Sequence, residues 1–469
     1  MSETPKRRFA LGRLVLWGLG VVVVLGIVFF VLDQTQSSRT MNSALDHLDE
    51  TEPGWRLEDI EAARISLPDA KNSALLCREL ARLLGSERPD IKFDEKLGNT
   101  DLPELLDEER LTLLETEMKH LEPIRLAARP LADMPRGRYE IVYAFNPLMT
   151  LLPELQTTRE VGWLFRYEML YLSNKGDVTE AVRSGRACVC VGRSLYDEPL
   201  LISQLVRMAI VLIGLQGVER ALSLGESNEA ELVALDKLLA DEENHETFLV
   251  AVRGERAMTY QFFARMSSGA ITSESLSREM NTVEEPLLTR TFISSSWQAR
   301  RQQPMMMDVM NRIVENARLP SHEQIAGEKE LDSEVKSNWL THRLVARYLP
   351  PTSKVAEAAR RKTASVATMR GLIAVEGFRM KDGKWPAKLD DVVPEFLERV
   401  PTDPFDGKPI RMAKVADGVI VYSVGVDGVD DGGHLDRKAP MIPGADIGFQ
   451  LWDKAIRAQP ASPKAEEKP

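Results

Sequence analysis

Cysteine is scarce in this chain: three residues, Cys77, Cys188 and Cys190, among 469. Three thiols exclude a disulfide framework. Cys188-Val-Cys190 is also tighter than the spacing of about two to four residues that zinc sites use. The three read as buried thiols. Histidine is scarce too, and none of His47, His120, His245, His322, His342 and His434 pairs at the i, i+4 spacing of a zinc-holding helix. Aromatics make up only 6% while methionine is frequent, which suits a mostly helical chain better than an all-β one. The sequence carries no Gly-x-Ser-x-Gly elbow, phosphate loop or dinucleotide fingerprint. Acidic pairs such as Asp241-Glu242 and Asp390-Asp391 read as solvated in a chain with 71 acids. A formal net charge of −11 argues against nucleic acid, whose binding needs clustered Lys and Arg. The short basic runs Arg300-Arg301 and Arg360-Arg361-Lys362 read as solvated helix faces.

What the chain does have is one long hydrophobic run. Leu14 to Leu32, "LVLWGLGVVVVLGIVFFVL", contains no charge. At about 1.5 Å per residue it matches the roughly 30 Å hydrocarbon core of a bilayer. Lys6, Arg7, Arg8 and Arg13 precede it and Asp33 follows, so residues 1–13 are expected in the cytoplasm and everything after residue 33 outside it. A cleaved signal peptide has a shorter apolar core and a small-residue site; this run ends in Phe29-Phe30-Val31-Leu32 and reads as a retained anchor. The expected setting is an inner membrane, single-pass, with the bulk periplasmic. "MAIVLIGL" (208–215) is too short to compete.

Residues 34–55 are polar and acidic and read as a stalk. From there to about 350 the pattern is helical: 107–128, 199–222 (apolar nearly all round, hence a central buried helix) and 225–243, with Ser227 or Asn228 as N-cap and Leu232, Leu235, Leu238 and Leu239 on one face. The segment 163–195 breaks at Asn174-Lys175-Gly176-Asp177 and resumes with Ala181 and Ala187, the mark of a helical hairpin. The region 33–350 thus reads as tetratricopeptide-like hairpins or an irregular bundle. Residues 266–335 read as a long excursion with one or two helices. Pro350-Pro351 sets the best domain boundary, and the tail 458–469 reads as disordered.

Beyond the boundary, a helix through Val366, Met369, Ile373 and Met380 leads to "DGKWPAKLDDVVPEFLERVPTDPFDGKPIRM" (382–412). Strands at 410–415 and 419–424 follow, joined through Asp417-Gly418. Then comes "VYSVGVDGVDDGGHLDR" (421–437), four aspartates and four glycines at a strand end. Glycines let carbonyls turn inward and aspartates supply charge, which is calcium-loop chemistry. Counting from Asp427 puts Val429 and Lys438 at positions 3 and 12, which excludes an EF-hand. A solvated acidic turn is the other reading.

The order helix, Gly-x-Trp-Pro, "PTDPFDGKPI", "YSVGVDG" and "ADIGF" (445–449) resembles the globular half of the major pseudopilin of type II secretion systems, over roughly residues 363–450. The resemblance implies an α+β module at 353–452 and a bound calcium ion. Its ligands would be the carbonyl of Val424, the carboxylate of Asp427, and acids drawn from Asp430, Asp431 and Asp436. His434 stands where that family tends to carry an acid. The whole layout of anchor, helical region and pseudopilin-like end resembles membrane-anchored envelope proteins of planctomycete-type bacteria. Taken together, the chain reads as an α+β envelope protein that scaffolds or binds a protein partner, linked to a secretion or pilus-like assembly. The alternative is an extracytoplasmic hydrolase with its site in the helical region, which would require titratable groups converging in one pocket.

Overall fold

A computed structural model describes residues 6–85, 91–97, 101–279, 296–337, 343–437 and 442–461. Its first element, α1 (Lys6–Thr51), is long and apolar enough to cross a membrane, and the described apolar side chains between Leu14 and Leu32 are 46–77% exposed. The helix does not stop at Asp33. The expected stalk is instead its continuation, because Met41, Leu45 and Leu48 repeat at helical spacing and give that half an apolar stripe. Met41 and Leu48 bury against Met307 and Trp55. Just past the helix end, Glu52 is held by Arg253 (2.9 Å), Arg256 (2.8 Å) and Arg318 (2.9 Å). The apolar N-terminal helix is therefore built into the body as one rod.

The body is mainly helical. Its longer helices are α2 (Ser73–Leu84), α3 (Glu108–His120), α4 (Glu154–Asn174), α5 (Val178–Gly192), α6 (Leu201–Leu224), α7 (Glu229–Glu243), α8 (Thr247–Ser267), α9 (Ser296–Ala317), α10 (Gln324–Ser337) and α11 (Thr352–Asp382). Helix α6, apolar nearly all round, lies at the centre and is covered by α4, α5, α8 and α11. Small residues let the backbones close in. A Cβ on Gly214 of α6 would sit 3.1 Å from the Gly185 carbonyl oxygen of α5, and one on Gly217 would run into the Met169 thioether of α4 at 2.2 Å. The turn from α4 to α5 uses Gly176 at φ +79° and is capped by Asp177, whose carboxylate accepts from the Glu180 N–H. The excursion expected at 266–335 holds α9, whose Met306, Met307 and Met310 are fully buried. Pro304 lies inside this helix and hid its periodicity.

After α11 the chain forms a three-stranded antiparallel sheet of β1 (Arg411–Val415), β2 (Gly418–Ser423) and β3 (Ile447–Trp452), in the order β1-β2-β3. The register pairs Val415 with Gly418 across the hairpin and Val421 with Phe449 on the other side. β3 lies in the stretch read only as the "ADIGF" motif. The chain breaks between helices at Pro350-Pro351, and the core crosses that point. One cluster joins Val182, Val211, Leu215 and Leu235 to Val366, Leu372, Val392, Val421 and Leu451. After β3, Arg457 donates twice to the buried Glu376 (2.8 and 3.0 Å) and once to the Gly225 carbonyl (2.7 Å). The start of the expected disordered tail is fixed: Gln459 exchanges backbone hydrogen bonds with Pro103 and Leu105 (3.1 and 2.8 Å). The rest, 462–469, lies outside the described residues.

Because the sheet and α11 share their apolar face with α5, α6 and α7, residues 353–469 expressed alone should lack a complete core. Circular dichroism of that fragment should show helix without a cooperative melting transition. A cooperative melt would mean that the C-terminal part is an independent domain.

Candidate functional site

The acidic loop between β2 and β3 is built around carboxylates that turn back onto its own backbone. Asp427 accepts from the Val429 N–H (3.0 Å) and, across the loop, from the Gly444 N–H (2.7 Å). These N–H bonds hold its carboxyl below the usual range. Asp430 accepts from the Gly432 N–H and the Tyr422 hydroxyl (both 3.0 Å) and pairs with Arg411 (3.0 Å). Asp431 is exposed and Asp436 half-buried, while Val424 is buried with its N–H donating to Asp403 (2.9 Å). His434 contacts the Gly444 carbonyl through Nδ1 (2.7 Å). The five residues expected as calcium ligands thus share one loop but divide between the strand end and the loop rim. Among the described residues no three acidic, His or Cys side chains converge as a metal cage.

Two acids that the sequence reading passed over organise this end. Asp403 of "PTDPFDG" is fully buried and accepts from Phe405 N–H (3.0 Å), the Ser423 hydroxyl (2.8 Å), Val424 N–H and an Arg411 nitrogen (3.1 Å). It is the physical reason that the "PTDPFDG" and "YSV" stretches occur together. Asp446, buried behind the loop, accepts from the Gly433 N–H at 2.8 Å, while its Oδ1 is buried without a hydrogen-bond partner. Burial raises its carboxyl; the Gly433 N–H opposes that, and the charges of Asp430 and Asp431 add to it.

A groove of about 640 Å³ runs between α7 and α11. Leu232, Ile373, Ala374, Gly377 and Phe396 form its apolar floor, and Val233 and Met380 stand exposed beside it. Gly377 lets the Phe396 ring lie against the helix, since a Cβ there would meet the ring at 2.8 Å. Glu229, Asp236, Lys381 and Glu395 form a mostly acidic rim.

The two helices that frame the groove are clamped by a buried ion cluster at their other end. Glu242, the last turn of α7, is fully buried and accepts from Arg193 (2.7 Å) and Arg207 (2.6 Å). Lys362 of α11 lies 3.2 Å from its other oxygen, paired in charge though not aligned to donate, and donates to the Glu242 backbone carbonyl at 3.3 Å. Burial alone would raise the Glu242 carboxyl. Arg207, Lys362 and Arg193 outweigh it and hold the group well below the usual range. Part of the surplus cationic charge is met by Asp241, which pairs with Arg193, and the rest is spread over the Pro135 and Tyr196 carbonyls and the Tyr196 ring, which lies 5.1 and 5.0 Å from the two guanidinium carbons. His245 touches Arg207 through its ring nitrogens (3.0 and 3.1 Å). Burial, then the Arg207 charge, pushes its pKa far down, so the ring is a neutral acceptor.

These positions correct two sequence expectations. The pair Asp241-Glu242 is not simply solvated, and of the run Arg360-Arg361-Lys362 both Arg360 and Lys362 are buried. A signal was present: Glu242 continues the stripe Leu235, Leu238, Leu239, and Lys362 continues Val355, Ala359 at helical spacing. A 340 Å³ pocket beside His245 is where an enzyme site would be sought. Its arginines are already engaged, Arg360 with Glu328 (2.6 Å) and Arg318 with Glu52 (2.9 Å).

Removing the one buried anion among three buried cations should be costly: Glu242→Gln should destabilise the protein by about 3–5 kcal/mol, read from denaturant midpoints in detergent. The sign with pH follows. A carboxyl depressed in the folded state stabilises above its unfolded pKa, near 4.5, and that contribution fades as pH falls below it. Wild-type stability should therefore drop in acid more steeply than that of the variant. A variant as stable as wild type would mean that the cluster is not what clamps the helices.

Compared with known proteins, the chain matches no family model, no curated protein and no solved structure.

Proposed function

We propose that the chain is a single-pass envelope protein whose extracytoplasmic body is a scaffold, binding an apolar segment of a protein partner in the groove between α7 and α11. The groove is the observation that carries this reading. Its apolar floor and charged rim fit an amphipathic helix or extended segment with basic flanks, laid in by the helix-in-groove mode. The anchor supports the same reading. A helix that runs unbroken from an apolar span into the body would hold the groove at a set orientation to a bilayer. The link to a secretion or pilus-like assembly rests on the pseudopilin resemblance. A long helix packed on a three-stranded antiparallel sheet, with the acid-rich loop before the last strand, supports it.

A photocrosslinking amino acid at Val233, introduced in cells, should give a discrete adduct that disappears when Ile373→Glu is added. No adduct, or one indifferent to Ile373, would remove the groove from this reading.

Calcium belongs to the proposal through Asp446 Oδ1, the buried oxygen without a partner, beside the charges of Asp430 and Asp431. Binding at a hundredfold excess over Kd stabilises a folded protein by about 2.7 kcal/mol. Millimolar calcium should therefore raise the melting temperature of the full chain, and Asp446→Asn should abolish the rise. An unchanged melting temperature in wild type would reduce the loop to a turn closed by its own hydrogen bonds.

A further inference from the structure

We infer that the segment 142–151 is a second membrane contact, seated in the headgroup region of the same bilayer that α1 is read to cross; the inference rests on that reading of α1. The segment exposes Val142 (80%), Phe145 (63%), Leu148 (45%) and Leu151 (82%), which is unusual for four large apolar side chains within ten residues. Tyr143 within it and Ile141 and Leu152 at its ends turn the other way and pack with Leu57, Leu200, Ala257 and Met258. The tip is a closed turn, with the Ala144 N–H donating to the Thr150 hydroxyl (3.2 Å) and Asn146 capping the Leu148 N–H (3.3 Å). The apolar side chains are thus presented by a fixed backbone.

What places this turn at a bilayer is a chain of contacts to the end of the apolar span. Phe30 stacks against Trp297 of α9 at 5.9 Å, and Asp33, the first charge after the span, pairs with Arg301 at 3.5 Å. The neighbouring Arg300 donates to the Ser267 carbonyl at the end of α8 (3.1 Å). Asp33 and the end of α8 therefore meet adjacent residues of α9, each within the reach of one arginine side chain. Arg265, two residues back along α8, is displaced by only about 3 Å at the helical rise. Arg265 then donates to the Phe145 carbonyl and lies 4.8 Å from the Phe145 ring.

The level reached is that of the bilayer interface, a zone about 5–8 Å deep on each side of the hydrocarbon. Its chemistry agrees. Trp297, Arg265, Arg300 and Arg301 are the aromatic and cationic residues that such interfaces favour. The occupant is thus a lipid surface, with the glycerol-proximal methylenes of the acyl chains against Phe145, Leu148 and Leu151, and phosphates against the arginines.

The test uses the full chain in phosphatidylethanolamine–phosphatidylglycerol vesicles that contain nitroxide-labelled lipid. An environment-sensitive fluorophore is attached in turn to Leu151→Cys, Val23→Cys and Val233→Cys; the three native cysteines are fully buried and leave the label to the introduced one. Shallow nitroxide should quench Leu151→Cys strongly, deep nitroxide should quench Val23→Cys, and Val233→Cys should keep its fluorescence with both. If Val23→Cys is quenched and Leu151→Cys behaves like Val233→Cys, the second contact is overturned while the anchor stands. If Val23→Cys is not quenched, the anchor reading fails and takes this inference with it.

Discussion

The carboxylate of Glu242 sits where four parts of the chain meet, and the arrangement of the body depends on it. Arg193 follows α5, Arg207 belongs to α6, Glu242 ends α7 and Lys362 is on α11. Three cations in a fully buried place would repel one another, and in a medium of low effective dielectric that repulsion is several kcal/mol per pair. The Glu242 carboxylate, accepting from two guanidinium groups, offsets that repulsion from the centre, and Asp241 helps from the rim by pairing with Arg193. From this point α7 and α11 run antiparallel, joined further along by Arg370 with Asp236 (2.8 Å) and Glu243 (2.5 Å), and by Arg379 with Glu226 (2.7 Å). The groove opens between the same two helices beyond Arg370. Its width is set by ionic spacers rather than by the apolar floor alone.

Much of the fold is legible in the sequence because it follows from periodicity. The all-round apolar 199–222 became the central α6, and Asn228 caps α7 by accepting from the Glu231 N–H (2.8 Å). The hairpin signal at Asp417-Gly418 joins β1 and β2. What was not legible shares a physical cause. Charged residues on apolar stripes, such as Glu242 and Lys362, look like surface until their partners are known, and those partners come from other elements 35 to 120 residues away. The helical second half of α1 was missed because its stripe of Met41, Leu45 and Leu48 is thin and surrounded by polar residues. Its stability comes from packing against Trp55, Tyr260 and Met307 rather than from its own sequence.

The candidate site was legible in composition and not in geometry. Four aspartates among glycines announced a specialised loop. The hydrogen bonds then divided them by role: Asp427 closes the loop, Asp430 ties it to β1 through Arg411, and Asp403 and Asp446 do the buried work from outside the quoted stretch. An aspartate before or after a glycine is as able to accept from its own backbone as to face a cation. Spacing alone cannot tell the two apart, which is why residues from flanking motifs proved to be the organising ones.

The same device fastens the sheet to the helices. Arg437 from the acidic loop donates both terminal nitrogens to Glu219 of α6 (2.5 and 2.6 Å), and that carboxylate also accepts the Gln450 N–H of β3 (2.9 Å). Arg457 forks in the same way onto Glu376 of α11. A planar guanidinium on a carboxylate fixes direction as well as distance, which a lysine could not do. Among the described residues the sheet is thus fixed twice, by an apolar face merged into the helical core and by forked arginines on both flanks. The carboxylates of Glu219 and Glu376 therefore tie the acidic loop, β3 and the residues after it directly to α6 and α11.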